Sequence, residues 1–217
     1  MAIPIFENGE PLEILNPSEF ICHPLYFKNG HTDVSEIKLR SGLVANLRKV
    51  NEKLKQISKY QLKIYDGFRP VALQEKMYNQ TYEKFKAERP ELNEKELAEL
   101  TNIYWAFPNR DPLAPPPHNT GGAVDLTLVD EENNEIEMGT PVDDLTKKAF
   151  TNYFAYNAKT EQNADLYHAN RMLLKNAMEE FGFKNYPEEW WHFDCGNQEW
   201  ASLGGGEKVI YGSAESR

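Results

Sequence analysis

The chain has 217 residues, of which 40% are apolar and 27% charged, with a net charge of −10. That length carries one domain with a sizeable core, and the composition is that of a globular protein. The acidic balance speaks against a nucleic-acid partner, no stretch has the length of a transmembrane helix, and two cysteines, Cys22 and Cys195, do not make a disulfide framework.

The N-terminal stretch Met1 to Glu7 has no basic region and no apolar run, so it does not read as a signal peptide. A cytoplasmic protein is expected; a periplasmic one would need a leader already removed. Residues 1–30, with Pro4, Pro11, Pro17 and Pro24, predict extended segments packed over the domain, from which Tyr26 or His23 could reach a cleft. His23 and His31 carry no partner motif and read as surface or satisfied loop histidines. Over residues 35–57, Ile37, Val44, Leu47, Val50, Leu54 and Ile57 recur at helical spacing, with Ser35 as the cap. Residues 62–65 read as a short strand. It leads into Asp66-Gly67-Phe68-Arg69-Pro70, where Asp-Gly marks a turn and Pro70 suits the first position of the next helix. Arg69 sits at the mouth of that turn, where it could as well pair with Asp66 as act on a ligand. The helix over 70–86 carries Leu73, Met77 and Phe85 on its apolar side. Asn93 followed by Glu96 resembles a capping box for a helix ending near Tyr104.

Residues 108–117 hold too many prolines for regular structure and form a stiff lead-in to His118. His118 and Asp125 are seven apart, with Gly121 and Gly122 between them to permit a turn. Residues 123–129 read as a strand with Val124, Leu126 and Leu128 on one face and Asp125 and Thr127 on the other. Histidine nitrogen and carboxylate oxygen are ordinary zinc ligands, although a turn histidine followed by an edge strand explains this stretch equally well. Asp130 to Glu135 is a polar turn, after which 136–138 return as a hairpin strand. Residues 144–162 predict a loop with short helices. Residues 164–181 predict a helix with Leu166, Met172, Leu173, Ala177 and Met178 as its stripe and Gly182 at its end. His168 reads as a plain helix residue.

Glu189-Trp190-Trp191-His192 then places a carboxylate three residues before a histidine, so that in a tight bend the two share one side. A partly buried Trp/His cluster is the bland alternative. Two histidines and one aspartate would leave a position open for water, the mark of a catalytic rather than a structural zinc. Residues 190–193 read as a strand bringing His192 beside Asp125, and Cys195 as a small buried residue near the site. Residues 203–206 and the tail read as loop with one edge strand. The expected architecture is α+β: a single domain over 1–217, with helices on one side of a small, mainly antiparallel sheet carrying the metal site.

Taken in order, DGFRP, H-x6-D within HNTGGAVDLTL, and EWWHF resemble the zinc D-alanyl-D-alanine dipeptidases, which are related to D,D-carboxypeptidases. Met138-Gly139-Thr140-Pro141-Val142-Asp143 is similar to that family's MGT-x-x-D stretch. The resemblance runs from about Asp66 to Phe193. It implies one zinc ion per chain on His118, Asp125 and His192, Glu189 as catalytic base and Arg69 as stabiliser of the transition state. It also implies Asp143 as partner of the substrate ammonium. Trp190 and Trp191 are expected to wall the cleft. The implied reaction is hydrolysis of the peptide bond of free D-Ala-D-Ala, the alternative being a D,D-carboxypeptidase or peptidoglycan endopeptidase with the same zinc site. The implied partner is a small dipeptide, with neither nucleic acid nor membrane, and a homodimer is compatible with this reading. The sequence departs from the family at Pro116, which stands where a serine is usual two residues before the first histidine.

Overall fold

A computed structural model describes residues 3–215. Met1 and Ala2 of the stretch read above as no leader lie outside them. In chain order the elements are β1 (Leu12–Ile14), β2 (Ile21–Cys22), α1 (Leu25–Lys28), β3 (Lys38–Arg40), α2 (Ser41–Ile57), β4 (Gln61–Asp66), α3 (Val71–Glu88), α4 (Glu94–Tyr104), β5 (Ala123–Val129), α5 (Tyr153–Tyr156), α6 (Ala164–Glu180), β6 (Lys184–Asn185), β7 (His192–Asp194) and α7 (Gln198–Ser202). The architecture is α+β. Five strands form a sheet in the order β2-β4-β5-β7-β6, parallel between β2 and β4 and antiparallel elsewhere, while β1 and β3 pair separately.

The alternation in β5 decides how the sheet is used. Every residue of the strand is buried. Val124, Leu126 and Leu128 enter the main apolar core together with Leu43, Leu47, Val50 and Leu54 of α2 and Leu174 and Met178 of α6. Asp125 and Thr127 point to the opposite face. That face is not bare, because a second apolar cluster of Tyr26, Met77, Phe85, Leu97, Tyr104 and Trp105 joins α1, α3 and α4 beside it. Helices therefore stand on both sides of the sheet rather than on one. The capping box at Asn93 and Glu96 is present and starts α4.

Four elements depart from expectation. The helix after residue 35 begins only at Ser41, because residues 38–40 pair with β1 instead. Ile37 and Leu39 are buried with period two, which a helical stripe hides. The stripe of α6 matches expectation only in part: Ala177 and Met178 face inward and Leu173 packs against the core, but Leu166 is exposed and Ala164, Arg171 and Leu174 are buried as well. The stretch 136–138 forms no strand: the return against β5 is a single bridge of Glu135 to Val129, followed by the Ile136 N–H donating to the Leu128 carbonyl at 2.9 Å. Trp190 and Trp191 lie in a turn, so β7 starts at His192. The tail returns to the N-terminal segment through an Ile5–Val209 bridge. No described helix is long and apolar enough to cross a membrane.

Candidate metal centre

Three adjacent strands deliver the site. In β4, Leu62 and Ile64 face the core opposite Leu128 and Leu126. Simple alternation would send Asp66 to the core as well. An irregularity between Ile64 and Asp66 shifts the register and sets Asp66 opposite Asp125, on the other face. Asp125 in turn lies directly across from His192 in β7, the closest cross-strand relation a sheet offers. His118 comes from the loop before β5. It sits in a short 3-10 turn, Pro117–Thr120, closed by Gly121 at φ 68. At Gly121 only a residue without Cβ fits, since a side chain would also strike Leu12.

The facing atoms are close. His192 Nδ1 lies 3.0 Å from Asp125 Oδ1, and His118 Nε2 lies 3.3 Å from Asp125 Oδ2 and 3.1 Å from His192 Nδ1. The three residues offer ligand atoms within 4.8 Å of one another, all buried. Their outer contacts fix the rings. His118 Nδ1–H donates to the Gly67 carbonyl at 2.7 Å, and His192 Nε2–H donates to Asp194 Oδ2 at 3.1 Å. In a neutral imidazole the other nitrogen then carries a lone pair. Two lone pairs and a carboxylate converge on one point, an arrangement that calls for a cation. The donor set, two imidazoles and a carboxylate, is one that zinc accepts. Protonation answers the same demand: against burial, the Asp194 and Asp125 carboxylates hold His192 well above the ordinary histidine range. Burial would raise Asp125, but His118 and His192 beside it hold its carboxyl far below the usual range.

Around this centre, Glu189 is buried with Oε2 3.9 Å from His192 Nδ1. Burial, then the Asp125 and Asp143 charges, push its carboxyl well above the usual range despite the pull of His192. Arg69 is buried and densely engaged. Its Nε and Nη2 donate to Asp66 Oδ2 at 2.9 and 2.7 Å, its Nη1 to Gln74 Oε1 at 2.7 Å, and its Nη2 also reaches Asp125 Oδ2 at 3.4 Å. The guanidinium lies 4.8 Å from the Tyr26 ring centre and 5.0 Å from that of Trp105. Asp143 accepts from the Tyr26 hydroxyl at 3.1 Å, and burial followed by the Asp125 charge pushes its carboxyl up to about 7.

His118, Asp125, His192, Glu189, Arg69 and Asp143 thus border one cleft of about 170 Å³. Trp190 and Trp191 do not. They are 3% and 1% exposed and belong to the main core, and the Trp190 indole N–H is spent on Thr140 Oγ1 at 2.8 Å. Two large side chains flanking the Glu189–His192 bend turn away from it because the bend gives its inner side to the carboxylate and imidazole. The aromatic walls of the cleft are instead Tyr26, Tyr104, Trp105 and Tyr186. Sequence reasoning singled out Tyr26 among these and missed the rest, as well as Asp194; Asp66 it named only as a pairing partner of Arg69, and that pair is present. Of the two N-terminal residues considered, His23 stays outside and meets Tyr65 edge-on at 5.6 Å. Cys195 is not part of the ligand group; its backbone N–H donates to the Gly122 carbonyl at 2.8 Å.

A family model described as D-Ala-D-Ala dipeptidase matches residues 36–203. The chain is 34% identical over 222 residues to a D-alanyl-D-alanine dipeptidase of Synechocystis sp., covering 93% of this chain and 88% of that protein. A D-alanyl-D-alanine dipeptidase of Enterococcus faecalis is 29% identical over 143 residues, covering 62% of this chain and 61% of that protein. Among solved structures, a vancomycin-resistance D,D-pentapeptidase, VanY, in complex with Zn(II), shares the fold at 12% identity, with a TM-score of 0.51 over 96% of this chain and 94% of that chain.

Proposed function

This chain belongs to the D-Ala-D-Ala dipeptidase family of metallopeptidases, and from that membership we propose that it hydrolyses the peptide bond of free D-Ala-D-Ala at a zinc centre. In this reading residues 1–217 act as one domain, and His118, Asp125 and His192 hold the ion. The observation that carries the reading is the convergence of two oriented imidazole lone pairs and a carboxylate, with Glu189 at 3.9 Å. Zinc bound there would supply a Lewis acid that brings the pKa of water to roughly 7. Glu189 accepts the proton of the attacking water and returns it to the leaving amine. Burial, with the Asp125 and Asp143 charges, raises its affinity for that proton. Arg69, locked by Asp66 and Gln74, presents a fixed positive charge to the developing oxyanion, a contact worth roughly 3–4 kcal/mol where such donors have been removed.

Substrate choice rests on Asp143. Its carboxylate, held by Tyr26, receives the ammonium of the free dipeptide. An acylated amine brings no charge and leaves that buried carboxylate with the Tyr26 hydroxyl but without the ammonium as counter-charge. The test is product analysis with D-Ala-D-Ala, L-Ala-L-Ala and N-acetyl-D-Ala-D-Ala, with and without chelator. Hydrolysis of the free D-isomer alone, abolished by chelation and restored by zinc, is expected, with at least ~10³-fold preference over the acetylated form. Comparable kcat/KM for the free and acetylated peptides would make the protein a D,D-carboxypeptidase instead.

A further inference from the structure

The loop that carries Asp143 is anchored by a residue that the chemistry above does not use. Arg171 on α6 is 1% exposed. Its Nε donates to the Met138 carbonyl at 2.8 Å, its Nη1 to the Lys148 and Phe150 carbonyls at 2.9 and 2.8 Å, and its Nη2 to Thr140 Oγ1 at 3.4 Å. The guanidinium lies between the rings of Phe154 and Trp190, at 4.7 and 5.6 Å from their centres. Its donors thus go to three main-chain carbonyls and one hydroxyl of a single loop rather than to a carboxylate. A buried cation is a costly core residue. As a planar fork with fixed donor directions, however, it can grip two ends of a loop at once.

The loop needs such a grip. Asp143 lies between the two gripped ends and has φ 62, a left-handed conformation that L residues seldom adopt unaided. The rest of the MGT stretch builds the same frame. Gly139 has φ 83, and a Cβ there would strike the Phe154 ring that covers the guanidinium. Thr140 Oγ1 accepts from both Arg171 and the Trp190 indole. The main-chain N–H of Trp190 donates to the Ala149 carbonyl at 3.1 Å, and that of Thr151 to the Pro187 carbonyl at 2.9 Å, so the frame is braced against the bend that bears Glu189.

We propose that Arg171 is a positioning residue for recognition of the substrate amino terminus, gripping both ends of residues 138–150 so that the Asp143 carboxylate stands where the ammonium binds. The inference rests on the reading of Asp143 given above. Loosening the grip lets Asp143 leave its left-handed conformation and weakens the ammonium contact. The reacting centre, built on β4, β5 and β7, keeps its geometry.

The variants that test this are Arg171→Lys, Asp143→Asn, their combination, and Thr140→Val beside the conservative Thr140→Ser. The lysine keeps the charge and lacks the fork. For Arg171→Lys with zinc bound, KM for free D-Ala-D-Ala should rise about tenfold or more while kcat stays within about threefold. Its kcat/KM for the acetylated peptide should not change, and amide exchange over residues 139–150 should accelerate. The double variant should lose no more than Asp143→Asn alone, because both changes act on one contact. Thr140→Val should move KM in the same direction by a smaller factor and Thr140→Ser should not; this pair carries the comparison if Arg171→Lys does not fold. Wild-type exchange over 139–150 in Arg171→Lys would overturn the proposal, as would additive losses in the double variant or a fall confined to kcat. If Asp143→Asn itself leaves KM unmoved, the premise about Asp143 fails. If Asp143→Asn raises KM and Arg171→Lys does not, the role of Arg171 alone fails.

Discussion

Replacing Asp194 with asparagine keeps the shape of the side chain and removes its charge, which tests how the proposed zinc site is held. Asp194 is fully buried; Oδ2 accepts from His192 Nε2 at 3.1 Å and Oδ1 from Asn197 Nδ2 at 2.6 Å. A hydrogen bond to a charged group is worth about 1.5–3 kcal/mol and a neutral one about 0.5–1.5, so the charge alone accounts for roughly 1–1.5 kcal/mol. The new amide must also point its NH2 at a donor, either His192 Nε2–H or Asn197 Nδ2. Asn197 cannot flip freely, because its Oδ1 accepts from the Trp200 N–H at 2.9 Å while its Nδ2 also donates to the Gly122 carbonyl at 3.2 Å. An unmade buried hydrogen bond adds about 1 kcal/mol or more. Part of the total falls on the fold and part on His192 as a ligand. At about 1.4 kcal/mol per decade, the expected weakening of zinc binding is roughly 10- to 100-fold, the range typical of a lost carboxylate behind a metal-bound histidine. Competition with a chromophoric chelator, at fixed pH and with circular dichroism as the check on folding, measures it directly. A folded Asp194→Asn that binds zinc within about threefold of wild type would refute the view that Asp194 orients His192 and strengthens it as a ligand.

The other expectations follow from the same geometry. His118→Ala should purify with markedly less zinc than wild type by elemental analysis; equal content would remove His118 from the ligand set. Glu189→Gln should keep its zinc and lose at least ~10²-fold in kcat, whereas Glu188→Gln, one residue along the bend, should remain active; the reverse outcome would shift the register of the site. Arg69→Lys should lose mainly kcat in steady-state assays, since one ammonium cannot keep both Asp66 and Gln74 and still face the oxyanion; a change confined to KM would place Arg69 on the ground-state substrate. Burial first, then the Asp194 charge, push the Cys195 thiol up to about 12. At pH 8 only about one such thiol in 10⁴ is ionised. In a Cys22→Ser background a thiol reagent should therefore find the half-buried Cys195 slow in the native protein and fast after denaturation, and rapid native labelling would contradict the raised thiol.

Local signals carried a large part of this protein. The alternation of 123–129 was enough to place Asp125 on the face opposite Leu126, because side-chain direction along an uninterrupted strand has period two. The Asn93–Glu96 cap, the proline lead-in to His118 and the Gly121 turn were likewise readable, since each depends on residues within a few positions of one another. The spacing of Glu189 and His192 told that they share a side. It did not tell which way the intervening tryptophans turn, because that depends on what the sheet and α6 leave free behind the bend. The place of Asp66 beside Asp125 escaped for a related reason: unbroken alternation from Leu62 and Ile64 sends it to the core, and only the register shift against β5 brings it there. Nothing in the sequence of α6 singled out Arg171, since a cation is expected inside only where acceptors are waiting. Its acceptors are main-chain carbonyls of residues 138–150, and no pattern in α6 itself reports them. Contacts between residues near in sequence were therefore legible from the chain alone. Those that rest on strand register, or on polar groups supplied by a distant loop, came into being only when the chain closed on itself.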